Sequence, residues 1–176
     1  MATGTIGGLI STAAQIDPSS ITITPSSTVV LNKVTSYTVS IKIANPIPIG
    51  GSITIYFPLD IVLNVAEVPN NCERGINTVS TSSTACSITT FATYYSISFS
   101  SPFSTQGANI NDTVYLKLGN VAINPISTRP VSPFSIYTYS SDASLIAILE
   151  NALSVKMLTA STFPSNQISR ISNKNG

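Results

Sequence analysis

Residues 34–60 read VTSYTVSIKIANPIPIGGSITIYFPLD. Tyr37, Val39, Ile41 and Ile43 alternate with Thr38, Ser40 and Lys42, the period of a strand with one buried and one wet face. Ile53, Ile55 and Phe57 repeat the pattern against Ser52, Thr54 and Tyr56. Between them, Asn45-Pro46-Ile47-Pro48-Ile49-Gly50-Gly51 fixes φ at its prolines and ends in a glycine pair free to take positive φ. The chain must leave one strand and turn into another, an opening hairpin on this reading.

The same alternation recurs on both sides. Upstream, Ile21-Thr22-Ile23-Thr24 is a short strand, Pro25-Ser26-Ser27 a turn, and 28–31 an edge continuation. Downstream, 61–65 is extended, and 66–92 is the least regular stretch, with a strand expected near 85–90. Tyr95, Ile97 and Phe99 alternate with Tyr94, Ser96 and Ser98, and Val114, Leu116 and Leu118 with Thr113, Tyr115 and Lys117. Residues 134–139 form a strand fenced by prolines. Residues 145–150 suit a helical turn or a strand, and strand is preferred because Ile146 and Ile148 are β-branched. Asn151 then permits a turn before a last strand carrying Leu153, Val155 and Met157. No long segment has helical periodicity. Eight or nine short strands separated by Pro/Gly turns make an all-β, immunoglobulin-like antiparallel β-sandwich with extended terminal segments. A closed barrel is the rival, disfavoured by prolines at strand ends that protect open edges. The domain plan is an apolar extension over 1–20, the sandwich over 21–160 and a polar tail or linker over 161–176.

Composition limits what such a domain does. The 176-residue chain has 28 serines and 21 threonines, but only 9% charged residues and a net charge of +1, against roughly 25% charged in an average soluble domain. With a mean hydropathy of +0.32, so neutral a surface favours association or a covering of sugar. Scattered single lysines and arginines offer no footprint for nucleic acid. The longest apolar run, 145–149, has five residues, far short of the roughly 18 needed for a membrane span. The N-terminus lacks a basic region and is a poor signal peptide.

Cys72 and Cys86 are the only cysteines. A disulfide closing their short loop is the preferred reading, with two free buried thiols the alternative. The bridge would contribute on the order of 3 kcal/mol and would place the protein in an oxidising, extracellular or cell-surface setting.

Catalytic sets are absent: the chain has no histidine and only seven carboxylates, hence no Ser-His-Asp set, and neither a Walker nor a dinucleotide loop. Glu67 and Glu73 are the one carboxylate pair to weigh for glycoside cleavage, and solvated or salt-bridged roles suit them better. The chain is not expected to be an enzyme or to carry a cofactor. Asn109, Asn111 and Asp112 cluster as a calcium site would, or as a turn tolerant of positive φ. Asn111-Asp112-Thr113 is an N-x-T sequon, which makes Asn111 a glycosylation candidate. Asn70-Asn71-Cys72 fits only the rare N-x-C variant. The Ser/Thr clusters at 80–84 and 100–105 are candidate O-glycan carriers or plain strand-surface hydroxyls. Tyr94, Tyr115, Tyr137 and Tyr139 fall on or near the outward phase, as a sugar-stacking face requires.

The segments ITPSSTVV (23–30) and SYTVSIKIANPIPIGGSITIYFP (36–58) resemble a recurring Ser/Thr-rich immunoglobulin-like module of large extracellular surface proteins of ciliates and other protists. The resemblance covers about a fifth of the chain. It implies a surface-exposed repeat with structural or adhesive duty and transfers no catalytic residue. A weaker internal echo, M-x-T at Met1 and at Met157, suits coincidence or an array in which one unit runs into the next.

These observations lead to a secreted, glycosylated structural subunit that assembles head to tail into an extracellular filament or array. The uncharged segment 1–16 either completes its own domain's sheet or adds a strand to another molecule's; in such a filament it would supply a donor strand to the next copy and bury Ile6, Leu9 and Ile10 there. The expected partners are other copies of the chain and covalent glycans, with no nucleic acid and no membrane span. The second reading is a monomeric adhesin or carbohydrate-binding module of a multidomain surface protein.

Overall fold

A computed structural model describes residues 13–31, 34–100, 103–131 and 133–157. Among the described residues twelve strands run in chain order: β1 (Ala14–Gln15), β2 (Ile21–Pro25), β3 (Thr35–Lys42), β4 (Ser52–Pro58), β5 (Val62–Leu63), β6 (Cys72–Ile76), β7 (Ser82–Ser83), β8 (Ser87–Thr90), β9 (Tyr94–Phe99), β10 (Thr113–Ile123), β11 (Phe134–Tyr139) and β12 (Leu145–Leu153). They form two sheets, ordered β1-β12-β11-β4-β9-β8 and β2-β3-β10-β6-β7, with β5 pairing β10 off the second path. All pairings are antiparallel except β1 with β12. Placing β2-β3-β10-β6 opposite β4-β11-β12 reproduces the A-B-E-D and C-F-G arrangement of an immunoglobulin-type sandwich. The β8–β9 hairpin extends the second of these sheets beyond β4.

The decisive stretch forms both expected strands, but not a hairpin. β3 pairs with β2 and β10, whereas β4 pairs with β9 and β11, so residues 43–51 carry the chain from one sheet to the other. Gly50 sits at φ +81. A Cβ on Gly51 would lie 2.6 Å from the Tyr139 carbonyl and 2.7 Å from Ile47 Cγ2, so no side chain fits where the crossover presses against β11. Ile47 is pinned to Ala108 by two backbone hydrogen bonds of 2.8 Å.

The inward phases meet between the sheets. Tyr37, Val39 and Ile41 from one face Ile53, Ile55, Phe57, Ile97, Phe134 and Ile136 from the other, all buried. Phe57 packs edge-on against Tyr37 at 6.0 Å and Phe134 at 5.0 Å; such pairs contribute about 0.5–1.5 kcal/mol beyond burial. The Tyr37 hydroxyl donates to Asn124 Oδ1 at 2.8 Å, and Asn124 Nδ2 donates to the carbonyls of Ser27 and Val29. This ties the chain between β2 and β3 to the end of β10.

Three further elements differ from the sequence reading. The irregular stretch 66–92 contains a regular strand, β6, paired along β10 from Val114 to Leu118. Asn151 does not end a strand: it takes φ 50 within β12, at a register shift against β11, and the strand continues to Leu153. Residues 28–31 form no strand. At the N-terminal side, Ala14 and Gln15 pair with Ala147 and Ile148, and Ile16 lies in the core, so the segment expected as an extension joins this sandwich from Ala14 onward. Residues 161–176 lie outside the described residues.

Candidate functional site

The outer face of the β12-β11-β4-β9 sheet carries a continuous row of aromatic rings. The wet phase of β4 places Tyr56 there, that of β9 Tyr94, and that of β11 Tyr137 and Tyr139; the turn before β9 adds Phe91. Register explains the row. Tyr56 is level with Ser96 and Ser135, so Tyr94 and Tyr137 are its diagonal neighbours, within reach of large side chains. Ring centroids are 4.8 Å apart for Phe91–Tyr94, 4.6 Å for Tyr94–Tyr56, 4.8 Å for Tyr56–Tyr137 and 6.5 Å for Tyr137–Tyr139. Tyr56 and Tyr94 stack at an interplanar angle of 21°, and Tyr137 and Tyr139 at 13°. Stacking covers part of each ring and leaves the four tyrosines half-buried, with Phe91 exposed at the end.

Beside the row lies a groove of about 420 Å3 lined by Tyr56, Tyr94 and Tyr137, the rings of Pro58 and Pro133, and the polar groups of Thr93, Ser135 and Asn151. The β12 irregularity creates its far wall: left-handed Asn151 donates its backbone N–H to Ser135 Oγ at 3.0 Å. None of the lining residues is charged. Glu150, which is not among the lining residues, accepts from the Tyr137 hydroxyl at 2.7 Å. Burial raises the pKa of Tyr137, with the Glu150 hydrogen bond adding to it, and burial likewise raises Tyr56 and Tyr139. These hydroxyls therefore stay protonated and neutral throughout the physiological range.

The structure unites Tyr94, Tyr137 and Tyr139 in this face and separates Tyr115, which lies on β10 in the opposite sheet. Tyr56 and Phe91 complete the row without having been singled out. Tyr56 already stood on the wet phase of β4, which was the signal available, whereas Phe91 lies in a turn that has no phase.

The other candidates are placed elsewhere. Cys72 and Cys86 form a disulfide that joins the start of β6 in one sheet to the residue before β8 in the other. Glu73 accepts from Lys117 Nζ at 2.9 and 3.1 Å and from the Thr81 hydroxyl, and these bonds, Thr81 foremost, lower its pKa. Glu67 caps the 3-10 turn Val68–Asn70, where its carbonyl accepts from Asn70 N and Asn71 Nδ2. Asp112 is occupied as a turn clamp, accepting from Asn77 Nδ2 and Asn109 N at 2.7 Å each. Among the described residues no cluster of three or more His, Cys, Asp or Glu is placed to hold a metal. Ser82 and Ser83 form the edge strand β7. Asn111 is exposed at a turn. Ile6, Leu9 and Ile10 lie outside the described residues. No helix among the described residues is long and apolar enough to cross a membrane.

No family profile matches the sequence, and no curated protein matches it. Among solved structures the chain is similar to ChBD2 from Thermococcus kodakarensis KOD1, at 10% identity over 76% of this chain and 99% of that one, with a TM-score of 0.30.

Proposed function

We propose that this domain is a carbohydrate-binding module whose ligand is a neutral glycan held in the groove along the tyrosine row. The observation that carries the reading is the pairing of three tyrosines and two prolines with an uncharged rim of hydroxyl and amide groups in one groove. A sugar is itself amphipathic: its C–H surfaces suit the negative face of an aromatic ring, and its hydroxyls require neutral donors and acceptors. The groove volume falls in the usual range for small-ligand sites, about 300–1,000 Å3. Mutual stacking fixes the rings before a ligand arrives, so little side-chain freedom is lost on binding. A charged ligand would find no lining ion to pair with. The disulfide suits the oxidising surroundings in which extracellular glycans are met.

The test is calorimetry and retention on neutral and anionic polysaccharides with wild type and with Tyr56→Ala/Tyr94→Ala. Binding of a neutral polysaccharide, insensitive to salt and weakened at least about tenfold in the double variant (about 1.4 kcal/mol), is expected. Undiminished binding by a folded double variant, or retention of anionic polymers alone, overturns the reading.

Head-to-tail assembly is the second reading. Support for it comes from β1, which among the described residues pairs with Ala147 and Ile148 of nine-residue β12, and from the charge-poor surface. Deleting residues 1–12 should then abolish any polymer while sparing the fold; polymers that survive the deletion exclude strand donation.

A further inference from the structure

We infer that Asn111 is an N-glycan acceptor and that its glycan covers an apolar loop end remote from the groove. Asn111-Asp112-Thr113 is the single N-x-[ST] sequence, with x other than proline, in the 176 residues, and such a tripeptide is an acceptor only if the folded chain leaves its asparagine open to water. The fold does so. Asn111 takes φ 72 in the turn leading into β10 and is exposed. Its backbone N–H donates to the Ile43 carbonyl at 2.8 Å, which fixes the turn through the main chain and leaves the side chain outside. The next residue, Asp112, holds the turn by its bonds to Asn77 and Asn109, so the turn does not depend on the Asn111 amide.

What surrounds the residue supplies the second argument. Ile110, its neighbour, is 58% exposed, and Ile49 is 59% exposed. The backbone bridge between Ile47 and Ala108 brings their two loops together. Two large aliphatic side chains are thus open to water on neighbouring loops of a chain with only 9% charged residues and a net charge of +1, and so weakly charged a surface favours association. A sugar on Asn111 would stand beside them.

Position makes this compatible with the proposed function, although the inference does not rest on it. Asn111 adjoins the end of the sandwich where β3 finishes and β4 starts. The groove lies where β4 finishes and β9 and β11 start, on the other sheet. A glycan on Asn111 therefore leaves the tyrosine row free.

The experiment is expression of the full chain behind a secretory leader in a eukaryotic host, followed by intact-mass and peptide analysis before and after peptide-N-glycosidase treatment. Wild type and Thr113→Ser should carry an enzyme-removable glycan that leaves aspartate at position 111. Asn111→Gly keeps a residue that accepts positive φ, so it should fold and lose the glycan completely; Thr113→Ala should lose it while keeping Asn111. After enzymatic removal the protein should associate at concentrations where the glycosylated form stays monomeric. A folded, disulfide-bonded secreted product with unmodified Asn111 overturns the assignment, and so does a glycan that persists in both loss variants. Neither result depends on whether the groove binds sugar.

Discussion

Tyr37 shows how much one hydroxyl can hold. Its ring fills the core while its O–H meets Asn124, whose amide in turn holds Ser27 and Val29. Tyr37→Phe keeps the packing and leaves the buried Asn124 Oδ1 without its donor, at a cost of about 1–3 kcal/mol in chemical unfolding. Burial also raises the Tyr37 pKa. The folded state thus keeps a proton that the unfolded chain releases from about pH 10. This contribution is fully present below that pH and is lost as pH climbs towards the folded value. The alkaline decline in stability should be shallower in Tyr37→Phe than in wild type, and equal slopes would contradict the assignment. At this scale the sequence was informative about phase and silent about company. Alternation put Tyr37 inside and Tyr94, Tyr137 and Tyr139 outside, but Tyr115 obeys the same alternation on the other sheet. Phase tells which side of a strand a ring is on, whereas which strands are neighbours is a long-range fact.

Among the elements, β12 most clearly joins fold to site. Its register against β11 shifts near Asn151, whose left-handed backbone lets the strand continue while its N–H reaches Ser135 and its side chain borders the groove. Asn151→Val forces a β-branched residue into that conformation and should cost roughly 1–2 kcal/mol by thermal unfolding. Asn151→Gly should be tolerated, because glycine takes positive φ without strain; equal losses in both variants would show that the amide side chain matters instead. Asparagine was legible as a place where the chain bends, but a turn and a bulge draw on the same conformational tolerance. The crossover at 43–51 departs from the expected hairpin for a related reason. Prolines and glycines announce that the strand direction changes, not which sheet receives the next strand. β6 has no strand signal of its own because Cys72–Ile76 carries Glu73 and Gly75, poor strand residues by propensity, and is held by pairing with β10.

In the whole molecule the disulfide ties the start of β6 in one sheet to the residue before β8, the edge strand of the other. Cys72→Ser/Cys86→Ser should lose about 3 kcal/mol on the chain-entropy account, seen as a lower denaturant midpoint, and an unchanged midpoint would show that the loop is restrained without it. The sandwich also has a direction. The described chain comes in through Ala14 near the end that bears Asn111, where Ile16 borders Ile43 and Asn45. It leaves through Met157 beyond the opposite end, after Val155 has bonded to Val131. Traction between these two points runs along β12, and the parallel β1 is drawn lengthwise past it instead of being unzipped rung by rung. With two paired residues in that contact among those described, a stretched molecule would first slip β1 free and lengthen by the slack in 13–20, while the remaining strands of both sheets and the aromatic groove stay intact.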